Sequence, residues 1–186
     1  MRLLLFTRED WAIETIYGKL QGLKPNQIKQ LRRLYQERLP IDRLTTPEFS
    51  QRLAAISSEI KSPISTYINR RGHIIRVGVG TPSQTQIPPL ELPRYGAERL
   101  SGIRCVTTQL KVEPPTDAAL MAMALQRLDA MVSLDVISSG FQKRGGGVTG
   151  YVQQAYLSHL VPHPDVNWTV SPPLDLDLSA NKISPN

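Results

Sequence analysis

Cysteine is nearly absent from this chain: Cys105 stands alone among 186 residues. A single cysteine excludes an internal disulfide and any multi-cysteine metal site, and it makes the cytoplasm the expected compartment. Aromatic residues are also scarce, at 6%. In the basic part of the chain only Tyr35, Phe49 and Tyr67 lie near the cationic residues, too few for a single-strand stacking platform. Long hydrophobic runs are missing. The longest early one, Leu3-Leu4-Leu5-Phe6, is too short for a signal-peptide core, and nothing approaches the roughly 20 apolar residues of a membrane span, so no membrane partner is expected. The chain has no Gly-Lys-Ser or Gly-Lys-Thr, because the pair Gly18-Lys19 is followed by Leu20; a phosphate-cradling P-loop is therefore excluded. Its three histidines are His73, His159 and His163. The last two are four apart, but Pro162 and Pro164 forbid the helix that would align them on a metal, and no metal site is expected. Acidic residues are scattered singly, and no paired carboxylates or base–nucleophile pair can be assigned.

What is present suffices for one folded domain. Apolar residues make up 40% and charged residues 20%, an ordinary globular balance. Residues 1–15 read as a poorly ordered leader, 16–161 as the domain and 162–186 as a proline-rich connector. In the stretch LKPNQIKQLRRLYQERLP, Pro25 suits a first helical turn and Pro40 ends it, with Ile28, Leu31, Leu34 or Tyr35, and Leu39 as one apolar stripe. A second helix starts at Thr46-Pro47-Glu48, carries Phe49, Leu53, Ile56 and Ile60 on one face, and is closed by Pro63. SPISTYI and HIIRVGVG flank Asn69-Arg70-Arg71-Gly72 and predict a strand–turn–strand unit. Residues 81–101 are proline-rich and predict a loop. The segment from Gly102 through IRCVTTQL predicts a strand buried on both faces, with Cys105 as a small core residue and not a reactive thiol.

Thr116 then caps a helix expected over 117–133, with Leu120, Met123, Ala124, Leu128, Met131 and Val132 on its apolar face. A strand is expected over 151–161, and strand, helix and strand in 102–161 fit a parallel crossover. The expected fold class is α/β: a small, mainly parallel or mixed sheet covered by about three helices. Gly145, Gly147 and Gly150 match G-x-G-x-x-G. A dinucleotide loop needs a strand before that pattern and a helix after it. Here a strand-like segment follows, so a hairpin-like loop is expected.

Charge is distributed unevenly. The chain carries a net +6, yet its first 104 residues hold 17 Lys and Arg against 9 Asp and Glu, while the remainder holds 5 against 7. The excess lies between Lys19 and Arg76. Arginine predominates there, which suits bidentate contacts to phosphate. A basic helix face can be merely solvated; the functional alternative is a phosphate-contacting surface whose binding falls with salt. With few aromatics, shape and backbone recognition of structured RNA is the better version of that reading.

The order of segments resembles the N-terminal domain of HflX-type GTPases, which associate with ribosomes. The resemblance is carried by IYGKLQGLKPNQIKQLRRLYQERLPIDRLTTPEF, the Arg70-Arg71-Gly72 turn with its IIRVGVG strand, ERLSGIRCVTTQL, a helix at ALQRLDAMVSLDV, and HLVP followed by Trp168. It spans roughly residues 16–172 and implies binding to the large ribosomal subunit and its rRNA, in splitting or rescuing stalled ribosomes under stress. Lys24, Lys29, Arg32, Arg33, Arg38, Arg43, Arg70 and Arg71 are the candidate rRNA contacts, assigned by charge and position; no catalytic residue is assigned. Family members continue into a helical hairpin and a GTP-binding domain that this chain lacks. GTP and Mg would act only through that domain, and a separate GTP-binding chain is a further candidate partner. Thr107-Thr108-Gln109 stands where histidines are expected after the central strand, which counts against nucleotide handling by this domain. Three functions follow as expectations: a non-catalytic ribosome-binding module, a truncated paralogue acting as scaffold or competitor of a full-length GTPase, and a small nucleotide-binding enzyme using the 145–150 loop.

Overall fold

The computed structural model describes residues 15–82, 85, 102–126, 128–139 and 149–159. The expected leader apart from Thr15, most of the proline-rich stretch, Gly145, Gly147, His163, Trp168 and the connector from 162 lie outside them. Among the described residues, three α-helices and one 3-10 turn flank a six-stranded mixed sheet, the α/β class expected. In chain order the elements are β1 (Ile16–Gly18), α1 (Pro25–Arg33), the 3-10 turn (Leu34–Gln36), α2 (Pro47–Ile60), β2 (Ile64–Ile68), β3 (Ile74–Val79), β4 (Arg104–Gln109), α3 (Asp117–Leu125), β5 (Ala130–Ser139) and β6 (Thr149–His159). Across the sheet they run β1-β3-β2-β4-β5-β6. The pairs β1–β3 and β4–β5 are parallel, and β2–β3, β2–β4 and β5–β6 are antiparallel.

Successive residues of a strand point to opposite faces, and this divides the core in two. Ile68, Val106, Val132 and Leu134 face α1 and α2, where they pack with Leu31, Leu34, Phe49 and Leu53. Their neighbours Tyr67, Cys105 and Met131 face the other way, against Met123 and Leu120 of α3. Each fully buried aliphatic contributes roughly 1.5–3 kcal/mol of hydrophobic stabilisation before entropy is counted. Cys105 is buried as expected, and burial holds its thiol well above the ordinary range.

Local signals set the start of α2. The Thr46 hydroxyl accepts from the Phe49 amide at 3.2 Å, and Glu48 lies in the first turn. Its carboxyl is held below the usual carboxylate range, first by its own backbone amide and then by the Thr46 hydroxyl, with Arg43 adding to the effect. Lys61 turns the chain into the left-handed region and Pro63 follows. Thr116 caps α3 in the same way as Thr46 caps α2, accepting from Ala119 at 3.3 Å.

Three expectations are corrected. The first helix stops at Arg33, not at Leu39: a 3-10 turn follows, and Leu39 is buried from an extended segment, its amide bonded to the Gly72 carbonyl at 2.9 Å. The helix expected over 117–133, and with it the helix at ALQRLDAMVSLDV, ends at Leu125. There Leu128 N–H closes onto Met123 O at 3.0 Å, and Met131 and Val132 belong to β5. An apolar run buried on both faces satisfies helical and strand periods at once, so spacing alone misplaced this boundary. Accordingly the parallel crossover runs from β4 through α3 to β5, and β6 returns antiparallel beside β5.

The β2–β3 turn is fixed by tertiary contact as well as by its own bonds. Asn69 Oδ1 accepts from the amides of Arg71 at 2.9 Å and His73 at 3.0 Å. Gly72 adopts φ 83°, and a Cβ added there would overlap the Leu39 carbonyl oxygen. Gly72→Ala is therefore expected to destabilise the domain by about 2–4 kcal/mol, through both backbone strain and the clash. Urea unfolding checks this; an unchanged midpoint would contradict the close approach.

Candidate nucleic-acid interface

All eight candidate contacts occupy exposed positions: Lys24, Lys29, Arg32, Arg33, Arg38, Arg43, Arg70 and Arg71. Topology decides which of them meet. β1 runs parallel to β3 and ends beside Val79, the end of β3 remote from the 69–73 turn. The chain then reverses. Lys24 precedes α1, its amide donating to Gln27 Oε1 at 2.9 Å, and Lys29, Arg32 and Arg33 follow along the helix toward the turn. Tyr35 anchors the return, its hydroxyl donating to Thr15 O at 2.6 Å and accepting from Val77 N at 2.9 Å.

Arg38 then meets the β2–β3 turn. It bridges to His73, and its Nε donates to the Arg71 carbonyl at 3.3 Å. The structure thus brings Arg38, Arg70 and Arg71 together at one end of the sheet, where β2 turns into β3, and this basic edge of the molecule has Arg43 on the adjoining loop. Lys24 stands apart at the opposite end of α1, and Lys29 lies midway along it. Two acids adjoin this cluster in sequence: Glu37 is engaged by Arg52 of α2 at 2.6 Å, and Asp42, which is exposed, directly precedes Arg43. Arg76, also basic, lies in β3 with its guanidinium 5.7 Å from the Tyr17 ring centroid.

The feature that sequence reasoning missed is Arg104. It opens β4 paired with Ile68, and only 7% of it is exposed. Its Nε donates to Leu44 O at 3.1 Å and its Nη2 to Pro40 O at 2.8 Å. Burial lowers its pKa from the ordinary arginine value, and Asp42 on the same loop partly offsets this. The planar fork of arginine reaches two carbonyls from separate nitrogens in fixed geometry, where a lysine offers one rotatable ammonium. The loop between the 3-10 turn and α2 is thereby tied to the sheet beside the arginine turn. Nothing local in the sequence marks Arg104, because its partners lie about 60 residues upstream.

Residues of β4 and β6 bear on the nucleotide-loop alternative. Gly150, the last glycine of the G-x-G-x-x-G pattern, lies within β6. A Cβ there would overlap the backbone of Ala54, and Gln51 Nε2 donates to its carbonyl at 2.7 Å. This glycine lets α2 approach β6, and the pattern leads into a strand and not into a helix. At the end of β4, Thr107 and Thr108 direct their hydroxyls to Ile64 O, at 3.2 and 3.4 Å. Gln109 Nε2 donates to Glu113 O at 2.6 Å and to Asp135 Oδ1 at 2.8 Å. These three side chains are committed to internal bonds. Among the described residues no group of three His, Cys, Asp or Glu gathers as metal ligands, and no helix is long and apolar enough to cross a membrane.

No protein-family model, no curated protein and no solved structure matches the chain.

Asp135 is fully buried in β5, and its Oδ2 meets no hydrogen-bond donor among the described residues. Burial pushes its pKa up to about 6, opposed by the Gln109 hydrogen bond and reinforced by Glu113. The sign follows from linkage. The unfolded chain loses this proton near the ordinary value of 3.8, whereas the folded one keeps it up to about 6. Stability therefore falls as pH rises between those limits. We expect Asp135→Asn to flatten this slope, removing about 1–2 kcal/mol of the loss between about pH 4 and pH 7. Urea unfolding of both proteins across that range tests it; parallel profiles would refute the assignment.

Proposed function

We propose that this chain is a non-catalytic, RNA-binding module that docks on the large ribosomal subunit through its basic edge. The observation that carries the reading is the gathering of exposed Arg38, Arg70 and Arg71 at one edge, with Arg43 on the adjoining loop, both segments being bonded to the sheet. Arginine guanidinium groups suit bidentate contact with phosphate oxygens, and pinned segments lose little freedom when they bind. The resemblance to the N-terminal domain of HflX-type GTPases supports the ribosome as the source of that RNA, in splitting or rescue under stress. GTP hydrolysis would then belong to a GTP-binding domain on the same or a separate chain, and the setting would be the cytoplasm.

Co-sedimentation with purified large subunits across a salt series tests the proposal. Binding should be saturable without nucleotide and should weaken steeply with salt. Arg70→Ala with Arg71→Ala should weaken it about tenfold or more and reduce the salt slope by about two, one per lost phosphate contact. No pelleting at low salt, or a slope untouched by these changes, would overturn the reading.

A further inference from the structure

The loop held by Arg104 presents an apolar side chain at the basic edge. Ile41 is 70% exposed and sits in the turn between Pro40 and Arg43. A single exposed apolar residue on a mobile loop would need no explanation. This loop, however, is gripped on both sides of Ile41, at Pro40 O and Leu44 O, by one buried guanidinium. Immediately before it, Leu39 is bonded to Gly72 in the arginine turn. Ile41 is therefore held out on a braced loop, with Asp42 next to it, Arg38 and Arg43 within three residues, and Arg70 and Arg71 on the turn to which Arg38 is bonded.

We propose that Ile41 is an apolar wedge that packs against an exposed base or ribose of the RNA bound at this edge. The inference rests on the RNA-binding reading above. Charge complementarity points to the occupant: four exposed arginines against one exposed carboxylate, Asp42, on the segments flanking one apolar group match a nucleic-acid surface, where phosphates surround an unstacked nucleotide. Proteins insert Ile, Leu or Met between bases in this way while basic groups hold the backbone. Contacts to phosphates alone would leave Ile41 facing water. A wedge gives the edge a means of preferring irregular RNA over a regular duplex, whose bases are stacked and out of reach.

The wedge and the arginines have separable signatures. An apolar contact releases no counterion, so its loss lowers affinity at every salt concentration and leaves the slope unchanged. Ile41→Ser should weaken binding to purified large subunits about five- to tenfold with an unaltered slope, and Ile41→Leu should restore most of it. Because the side chain is exposed, neither change should lower the melting temperature, and thermal unfolding of both variants confirms this. The same pair is then measured on protein-stripped large-subunit rRNA, where the loss should persist. If Ile41→Ser binds within twofold of the parent while the Arg70 and Arg71 changes still weaken binding, the wedge is overturned and the RNA reading stands. If the loss occurs with subunits but not with stripped rRNA, Ile41 touches a ribosomal protein and the wedge is overturned too. If the parent protein shows no salt-sensitive binding to either, both readings fall.

Discussion

The Arg104 guanidinium ties the loop between the first two helices to the sheet. Moving a cation out of water is costly unless its donors are satisfied, and Arg104 directs two of them to backbone carbonyls of the loop between the first two helices. Those carbonyls belong to a segment with no regular structure of its own, so each would otherwise need a partner or water. The exchange is mutual. The loop satisfies the guanidinium, and the guanidinium fixes the loop against the first residue of the central strand. Directly downstream lies Thr46, which caps α2; directly upstream lies Leu39, bonded to the arginine turn. One buried side chain thus fixes the loop that lies between a helix cap and the segment bonded to the turn between two strands.

The two faces of the sheet are built to different standards. On one, α1 and α2 lay down a broad aliphatic layer, and α2 comes so close to β6 that only a glycine fits at position 150. On the other, α3 covers a smaller group around Met123 and Tyr67. It is apolar on both its sides, with Met121 and Leu125 exposed at 59% and 75%. Next to that group along the strands stand Ser65, Thr107, Ser133 and Asp135, all buried. Register places Ser65, Thr107 and Ser133 opposite one another across β2, β4 and β5. A sheet face of small polar residues gains little from burial, so the aliphatic layer under α1 and α2 carries most of the hydrophobic stabilisation.

Features set by short-range chemistry were legible in the sequence. The start of α2 follows from a capping hydroxyl, a proline and a carboxylate in three consecutive residues, and the β2–β3 turn from Asn69 and Gly72. The exposure of the eight basic residues follows from the cost of burying an unpaired charge. Features set by contacts distant in sequence were not legible. Leu39 sits at helical spacing from Leu31 and Leu34, and only its bond to Gly72 explains why it is buried from an extended segment. Met131 and Val132 continue the stripe of α3, and only their pairing with Cys105 and Val106 makes them strand. Arg104 belongs to the same class, since a cation opening an apolar strand gives no sign of the carbonyls it will meet. Part of the site could therefore be read as composition, whereas its assembly at one edge could not.

That assembly changes what the charge can do. Eight cations spread over a helix and two loops would attract a polyanion from any direction and hold it in no fixed orientation. Bracing two of the segments converts part of this diffuse field into a surface of fixed shape. The arginine turn is closed by Asn69 and seated on Leu39; the neighbouring loop is closed by Arg104. Side chains on such segments lose less entropy on binding than side chains on free loops, so on the RNA-binding reading proposed above the same number of phosphate contacts would yield tighter and more geometrically selective association. On the same reading Lys24 and Lys29, at the start and middle of α1, would add long-range attraction that salt screens. Steering would then fall to the helix and fitting to the two braced segments, one of them held by a buried arginine.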